Sequence, residues 1–124
     1  MPKRTFKKSI GEFDVVQKRQ MPQEDPVAYC LNVICGKWKT AILILIENKV
    51  NRFGAIRKVY PQITKQVLSR QLRDLERSGI VERRELETAP VQVEYVLTAS
   101  GEALCEILHK MKQWTITYKI NSKN

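Results

Sequence analysis

The run Thr64-Lys65-Gln66-Val67-Leu68-Ser69-Arg70-Gln71-Leu72-Arg73-Asp74-Leu75-Glu76-Arg77-Ser78 carries two periodic faces. Leu68, Leu72 and Leu75 recur at steps of four and three, the spacing that places side chains on one side of an α-helix. Gln66, Ser69, Arg70 and Arg73 recur at the same steps on the opposite side and point together towards solvent. Thr64 reads as the N-cap, and Ile63 before it as the outer half of a hydrophobic staple closing on Leu68. Gly79 stops the helix.

The flanks divide into a few elements. Upstream, Pro61 disfavours helical geometry at Tyr60, so Tyr60-Pro61-Gln62 is a tight break. Before it a short helix is expected over residues 52–59, capped by Asn51, with Phe53 and Ile56 inward. The β-branched run from Ala41 to Ile46 would suit a strand. The stripe Trp38, Ala41, Ile42 and Leu45, and the lack of a partner strand, instead favour a helix over residues 37–47, buried on most sides. Asp25-Pro26 reads as N-cap and first helical residue, Val27, Leu31 and Ile34 follow at helical spacing, and Gly36 ends that helix. Downstream the period changes to two. Residues 80–86 and 91–97 are expected to be antiparallel strands around a turn holding Ala89-Pro90. Thr98 caps a last helix, residues 99–118, with Leu104, Ile107, Leu108, Met111 and Trp114 on its apolar side.

Helix, tight break, helix and hairpin, in that order, are a winged helix-turn-helix: mainly α with a small β-hairpin. The expected organisation is a basic N-terminal arm (1–24), the winged domain with its final helix (25–118) and a C-terminal tail (119–124).

The charge points to a polyanion. The chain has 22 Lys and Arg against 13 Asp and Glu, a net charge of +9, and its 43% hydrophobic residues suffice for a core. From Lys49 to Arg84 there are ten basic residues and only three acids, Asp74, Glu76 and Glu82. In a helix-turn-helix the second helix enters the major groove, where glutamine pairs with adenine and arginine with guanine. Gln66, Ser69, Arg70 and Arg73 are therefore the candidate base readers. Thr64 and Lys65, at the helix N-terminus, suit phosphate. Arg52, Arg83 and Gln92 are the further candidate contacts around them. The alternative is a solvated face, with Asp74 supporting the helix through pairs with its arginine neighbours.

Other classes are poorly supplied. His109 stands without Cys-x-x-Cys or His-x-x-x-His spacing, so no metal site is expected, and no acid–base or nucleophile constellation suggests an enzyme or a cofactor. Three cysteines at irregular spacings do not make a secreted disulfide framework. Cys30 is expected to pack in the core, Cys35 to lie exposed at a helix end and Cys105 to lie far along the last helix. A thiol switch among the three is the competing reading. The basic start has no apolar segment after it, and no apolar run approaches the roughly 18 residues of a membrane span, so a cytoplasmic protein is expected. Trp38 and Trp114 are expected in the core or at a subunit contact, against a pocket for a planar small-molecule effector. A winged-helix module for RNA or protein is the alternative to duplex DNA, but would not need the four exposed readers together.

Several motifs, in one order, resemble the HxlR-type winged-helix regulators: Gly36-Lys37-Trp38-Lys39, Arg52-Phe53-Gly54, Leu68-Ser69-Arg70-Gln71-Leu72-Arg73-Asp74-Leu75-Glu76, Gly79-Ile80-Val81-Glu82-Arg83, Val93-Glu94-Tyr95 and Leu97-Thr98-Ala99-Ser100-Gly101. The resemblance runs from about Asp25 to Trp114. It implies a homodimeric bacterial transcription regulator, more often a repressor, that dimerises through its terminal helices. Leu104, Leu108, Met111 and Trp114 would form the contact. Two departures stand out. Asp25-Pro26 replaces the Cys-Pro of many members, so thiol sensing at that position is not implied. Pro90-Val91-Gln92 replaces the usual Pro-Pro-Arg or Pro-Pro-Lys of the wing, leaving neutral Gln92 to hydrogen-bond where a cation is usual.

Overall fold

The computed structural model describes residues 25–119; the expected basic arm and the residues beyond 119 lie outside them. The chain divides into two compact units, Met1–Gly36 and Lys37–Asn124. The described part of the first is α1 (Pro26–Ile34), begun by Asp25, whose carboxylate accepts from the Ala28 amide, with Pro26 at the first helical position. Gly36 follows the helix with φ +113. The expected inward stripe is only partly realised. Ile34 is buried, whereas Val27 and Leu31 are 69% and 50% exposed and Cys30 is half-buried, not core. Spacing places apolar residues on one side of a helix but does not set which part of that side is covered.

The second unit holds α2 (Lys39–Glu47), α3 (Phe53–Val59), α4 (Lys65–Arg77), β1 (Val81–Leu86), β2 (Gln92–Leu97) and α5 (Ala99–Trp114), closed by a π-helical turn over Thr115–Lys119. The β-branched run in α2 is helical, as expected. Ile42, Leu43 and Ile46 are buried and its remaining residues partly covered, because α2 lies against both α5 and β2. Burial outweighs the modest helix propensity of isoleucine. The fully buried set is Ile42, Leu43 and Ile46, not the expected stripe of Trp38, Ala41, Ile42 and Leu45. The helix ends in a Schellman arrangement: the Lys49 amide donates to Ile46 and the Val50 amide to Leu45. The left-handed position, φ +71, is held by Lys49 where glycine is usual.

Asn51 does not cap α3. Arg52 occupies that position without a side-chain cap. The Asn51 side chain instead donates to the Tyr95 carbonyl (2.9 Å), and the Tyr95 amide donates back to the Asn51 carbonyl (3.0 Å). These two bonds fasten the start of α3 to β2 across 44 residues, a partner that local spacing does not reveal.

After α3 the break at Tyr60-Pro61-Gln62 is as expected. Arg57 Nε spans it, donating to the Ile63 carbonyl at 3.1 Å. Thr64 then caps α4, accepting from the Val67 amide at 3.1 Å. At the far end the Gly79 amide donates to Glu76 and the Ile80 amide to Leu75, a second Schellman turn with Gly79 at φ +75. Leu68, Leu72 and Leu75 are buried with Ile63 and Ile80. Full burial of each such side chain stabilises by about 1.5–3 kcal/mol relative to exposure.

The hairpin pairs Val81 with Leu97 through to Leu86 with Gln92. Thr98 joins it to α5. Its hydroxyl accepts from the Gly101 amide (3.1 Å) and donates to the Gly79 carbonyl (2.6 Å). Gly101 is buried there, and a Cβ on it would lie 2.2 Å from the Ile80 carbonyl oxygen. The apolar side of α5 splits in two. Leu104 and Leu108 are 9% and 8% exposed, within the core of their own chain, so they are not free to face a partner as expected. Ile107, Met111 and Trp114 are 47%, 44% and 63% exposed.

Candidate nucleic-acid interface

The α4 face opposite the leucines is an open depression lined by Lys65, Gln66, Ser69, Arg70 and Arg73. All are exposed except half-buried Ser69, and Thr64 is exposed at the helix start. Among the described residues, Lys65, Arg70 and Arg73 have no acidic partner. The neighbouring acid, Asp74, is taken up by Lys39 (3.8 Å) and Arg77 (3.7 Å). The pairing of Asp74 with an arginine neighbour, which belonged to the solvated-face alternative, thus exists with Arg77, while the Arg70–Arg73 face keeps its full charge. An uncompensated cationic face with an amide and a hydroxyl between its charges has the donors and acceptors that base edges and phosphates require.

The wing is electrostatically different. Arg83 Nη1 lies 3.2 Å from Glu85 and Arg84 Nη2 lies 3.3 Å from Glu82. Alternate residues of a strand share a face, which brings each pair together. The hydrogen bond to Glu85 is the main cause of a raised pKa at Arg83, with Tyr95 adding to it. With Glu87 and Glu94 the hairpin has four acids against two arginines, so Arg83 is a compensated cation.

Arg52 and Gln92, proposed separately from the sequence, meet: Arg52 Nη1 donates to Gln92 Oε1, joining the start of α3 to the wing. Sequence reading also missed Arg57 at the turn and the contact between His109 Nε2 and Glu47 Oε1 (2.8 Å), which ties α5 to α2. Long-range partners leave no local signal, although a basic residue one turn before a break is consistent with a carbonyl-holding role such as that of Arg57.

The thiols differ in setting. Cys35 is exposed, Cys30 half-buried and Cys105 buried. Burial pushes the Cys105 thiol up to about 11, with the charges of Glu47 and Glu102 adding to the shift. It therefore stays protonated and unreactive at neutral pH. Trp38 is half-buried, tilted against Tyr60 with ring centroids 5.4 Å apart, and carries the Lys37 ammonium over its ring at 5.2 Å. Among the described residues no group of three or more His, Cys, Asp or Glu is placed to hold a metal ion, and no single helix is long and apolar enough to cross a membrane.

Residues 33–123 match the family described as HxlR-like helix-turn-helix. The chain is 42% identical over 94 residues to the uncharacterized HTH-type transcriptional regulator YdeP of Bacillus subtilis, covering 76% of this chain and 73% of that protein. Among solved structures, the redox regulator HypR in its reduced form is 38% identical with a TM-score of 0.71, over 77% of this chain and 94% of that one. A transcriptional regulator of the MarR family from Enterococcus faecalis V583 superposes with a TM-score of 0.75 at 29% identity, over 82% of this chain and 93% of that one. With a winged helix-turn-helix whose second helix presents an uncompensated cationic face, the chain belongs to the HxlR-like family of helix-turn-helix transcriptional regulators.

Proposed function

We propose that the protein acts as a homodimer on a pseudo-palindromic operator and represses transcription there. The observation that carries this reading is the α4 face, where Gln66, Ser69, Arg70 and Arg73 are presented without acidic partners above a buried leucine stripe. Gln66 and the arginines read base edges in the major groove, while Thr64, Lys65 and the helix N-terminus hold phosphate. Dimerisation is supported by the uncovered apolar residues of both terminal helices: Val27, Tyr29 and Leu31 on α1, and Ile107, Met111 and Trp114 on α5. Each protomer then places α4 in one of two successive major grooves, with half-site centres about 34–36 Å apart. An effector would act by altering the angle between the two α4 helices, and a cytoplasmic location goes with this role.

The thiol alternative draws on HypR, described as a redox regulator. In this chain exposed Cys35 is the thiol open to it, and buried Cys105 is not.

Selection of bound fragments from genomic DNA at stated salt tests the reading. The expected product is a two-fold symmetric site with half-sites one helical turn apart. Recovery of unrelated fragments in proportion to their input would overturn it. Trp114→Ala should lower the dimer fraction in sedimentation together with affinity for the selected site.

A further inference from the structure

We propose that Gln92 is a positioning residue that holds Arg52 ready for a DNA phosphate on the wing side of the recognition helix. The inference rests on the DNA-binding reading above and concerns how the wing takes part in it.

A hairpin beside a recognition helix meets the negatively charged backbone, so its charge matters. Here both wing arginines are tied to carboxylates of their own strand, Arg83 to Glu85 and Arg84 to Glu82, while Glu87 and Glu94 remain. By charge alone this wing repels DNA. Among the described residues, the hydrogen-bonded cation brought to it from outside is Arg52, which reaches Gln92 at the start of β2 from the residue before α3.

The chemistry of the two kinds of tether differs. A carboxylate that orients an arginine also neutralises it. The Gln92 amide oxygen is uncharged, so it accepts one N–H from Nη1 and leaves the full positive charge and the remaining guanidinium donors for another acceptor. A phosphate oxygen is the acceptor that this geometry and charge favour. The support is firm, because neighbouring Asn51 is bonded to Tyr95 of β2 by both its side chain and its carbonyl. The backbone beneath Arg52 is therefore fixed relative to β2. An exposed arginine otherwise loses rotamer freedom on binding, and one already held by a neighbour loses less.

The test is a double-mutant cycle on the full chain, titrating a mixed-sequence DNA duplex over a range of salt, with thermal midpoints read alongside. Arg52→Ala should make the slope of log affinity against log salt shallower by about 0.9 for each phosphate that Arg52 neutralises. Gln92→Ala should weaken binding by about 2- to 10-fold while Arg52 is present, the cost of ordering a free side chain. In the Arg52→Ala background it should have no further effect. Thermal midpoints should not move, since both side chains are exposed. Equal weakening by Gln92→Ala in both backgrounds would overturn the proposal, because Gln92 would then act without Arg52. An unchanged salt slope in Arg52→Ala, with Arg70→Ala still weakening binding, would overturn it and leave the DNA reading intact. Failure of the wild-type chain to bind any duplex would overturn both.

Discussion

His109 Nε2 lies 2.8 Å from Glu47 Oε1, joining the middle of α5 to the last residue of α2. Both side chains keep contact with solvent, so the pair adds a lateral tie between two helices that already pack against each other. An exposed pair of this kind contributes at most about 1 kcal/mol. His109→Ala and Glu47→Gln should each cost less than that in urea unfolding, and the double variant should cost no more than the larger single effect.

Gly101→Ala should be far more damaging than its size suggests. The added methyl would sit 2.2 Å from the Ile80 carbonyl oxygen, and that atom is backbone held by the Thr98 amide. Overpacking against an unyielding neighbour costs about 1–3 kcal/mol or more. A clear fall in the thermal midpoint is expected, and an unchanged midpoint would show that α5 shifts freely away from Ile80.

Lys49→Gly should stabilise the protein. Lys49 sits at φ +71 in the turn that ends α2, and a side chain there costs about 1–2 kcal/mol that glycine avoids. The greater freedom of glycine in the unfolded chain offsets part of this gain. The net expectation is about +0.5–1 kcal/mol in denaturant titration.

Cys105 predicts a pH dependence with a definite sign. Its folded pKa, about 11, lies above the ordinary value of 9.0, so the unfolded chain gives up this proton first. The stability it contributes is complete below pH 9 and falls as pH rises to 11, by about 2–3 kcal/mol in all. Cys105→Ala removes this component, so the difference between the two stability curves should change across that window alone. A thiol reagent at neutral pH should modify Cys35 quickly and Cys105 only on unfolding.

Arg70→Ala should cost about 1–3 kcal/mol on the selected operator and relax the preference at one base step. Equal weakening on operator and random duplex, measured by competition, would make Arg70 a phosphate contact instead.

Caps and period changes are the legible part of this chain. Asp25, Thr64 and Thr98 cap the helices they are expected to cap, because a cap is a contact between residues three apart. The hairpin also forms over nearly the expected residues, and the polar face of α4 follows directly from its leucine stripe. Periodicity is less able to say what covers a face. Leu104 and Met111 belong to one apolar side of α5, yet one is core and the other exposed; Val27 and Ile34 divide in the same way on α1. Asn51 reads locally as a cap because its true partner, Tyr95, is distant in sequence, and the Arg52–Gln92 contact is hidden for the same reason. The wing's ion pairs are written in the alternation Glu82, Arg84 and Arg83, Glu85, but a count of basic residues passes over them.

Thr98 gives the fold a fixed point. Its hydroxyl bonds the carbonyl just after α4 and the first turn of α5 at once. The stop of one helix and the start of the other therefore meet at a single pivot. Rotation about that pivot can change the angle between the two helices, but the distance between their joined ends is locked. With those ends joined, any change in the angle between the helices moves the Thr64 end of α4, the end farthest from the pivot, the most.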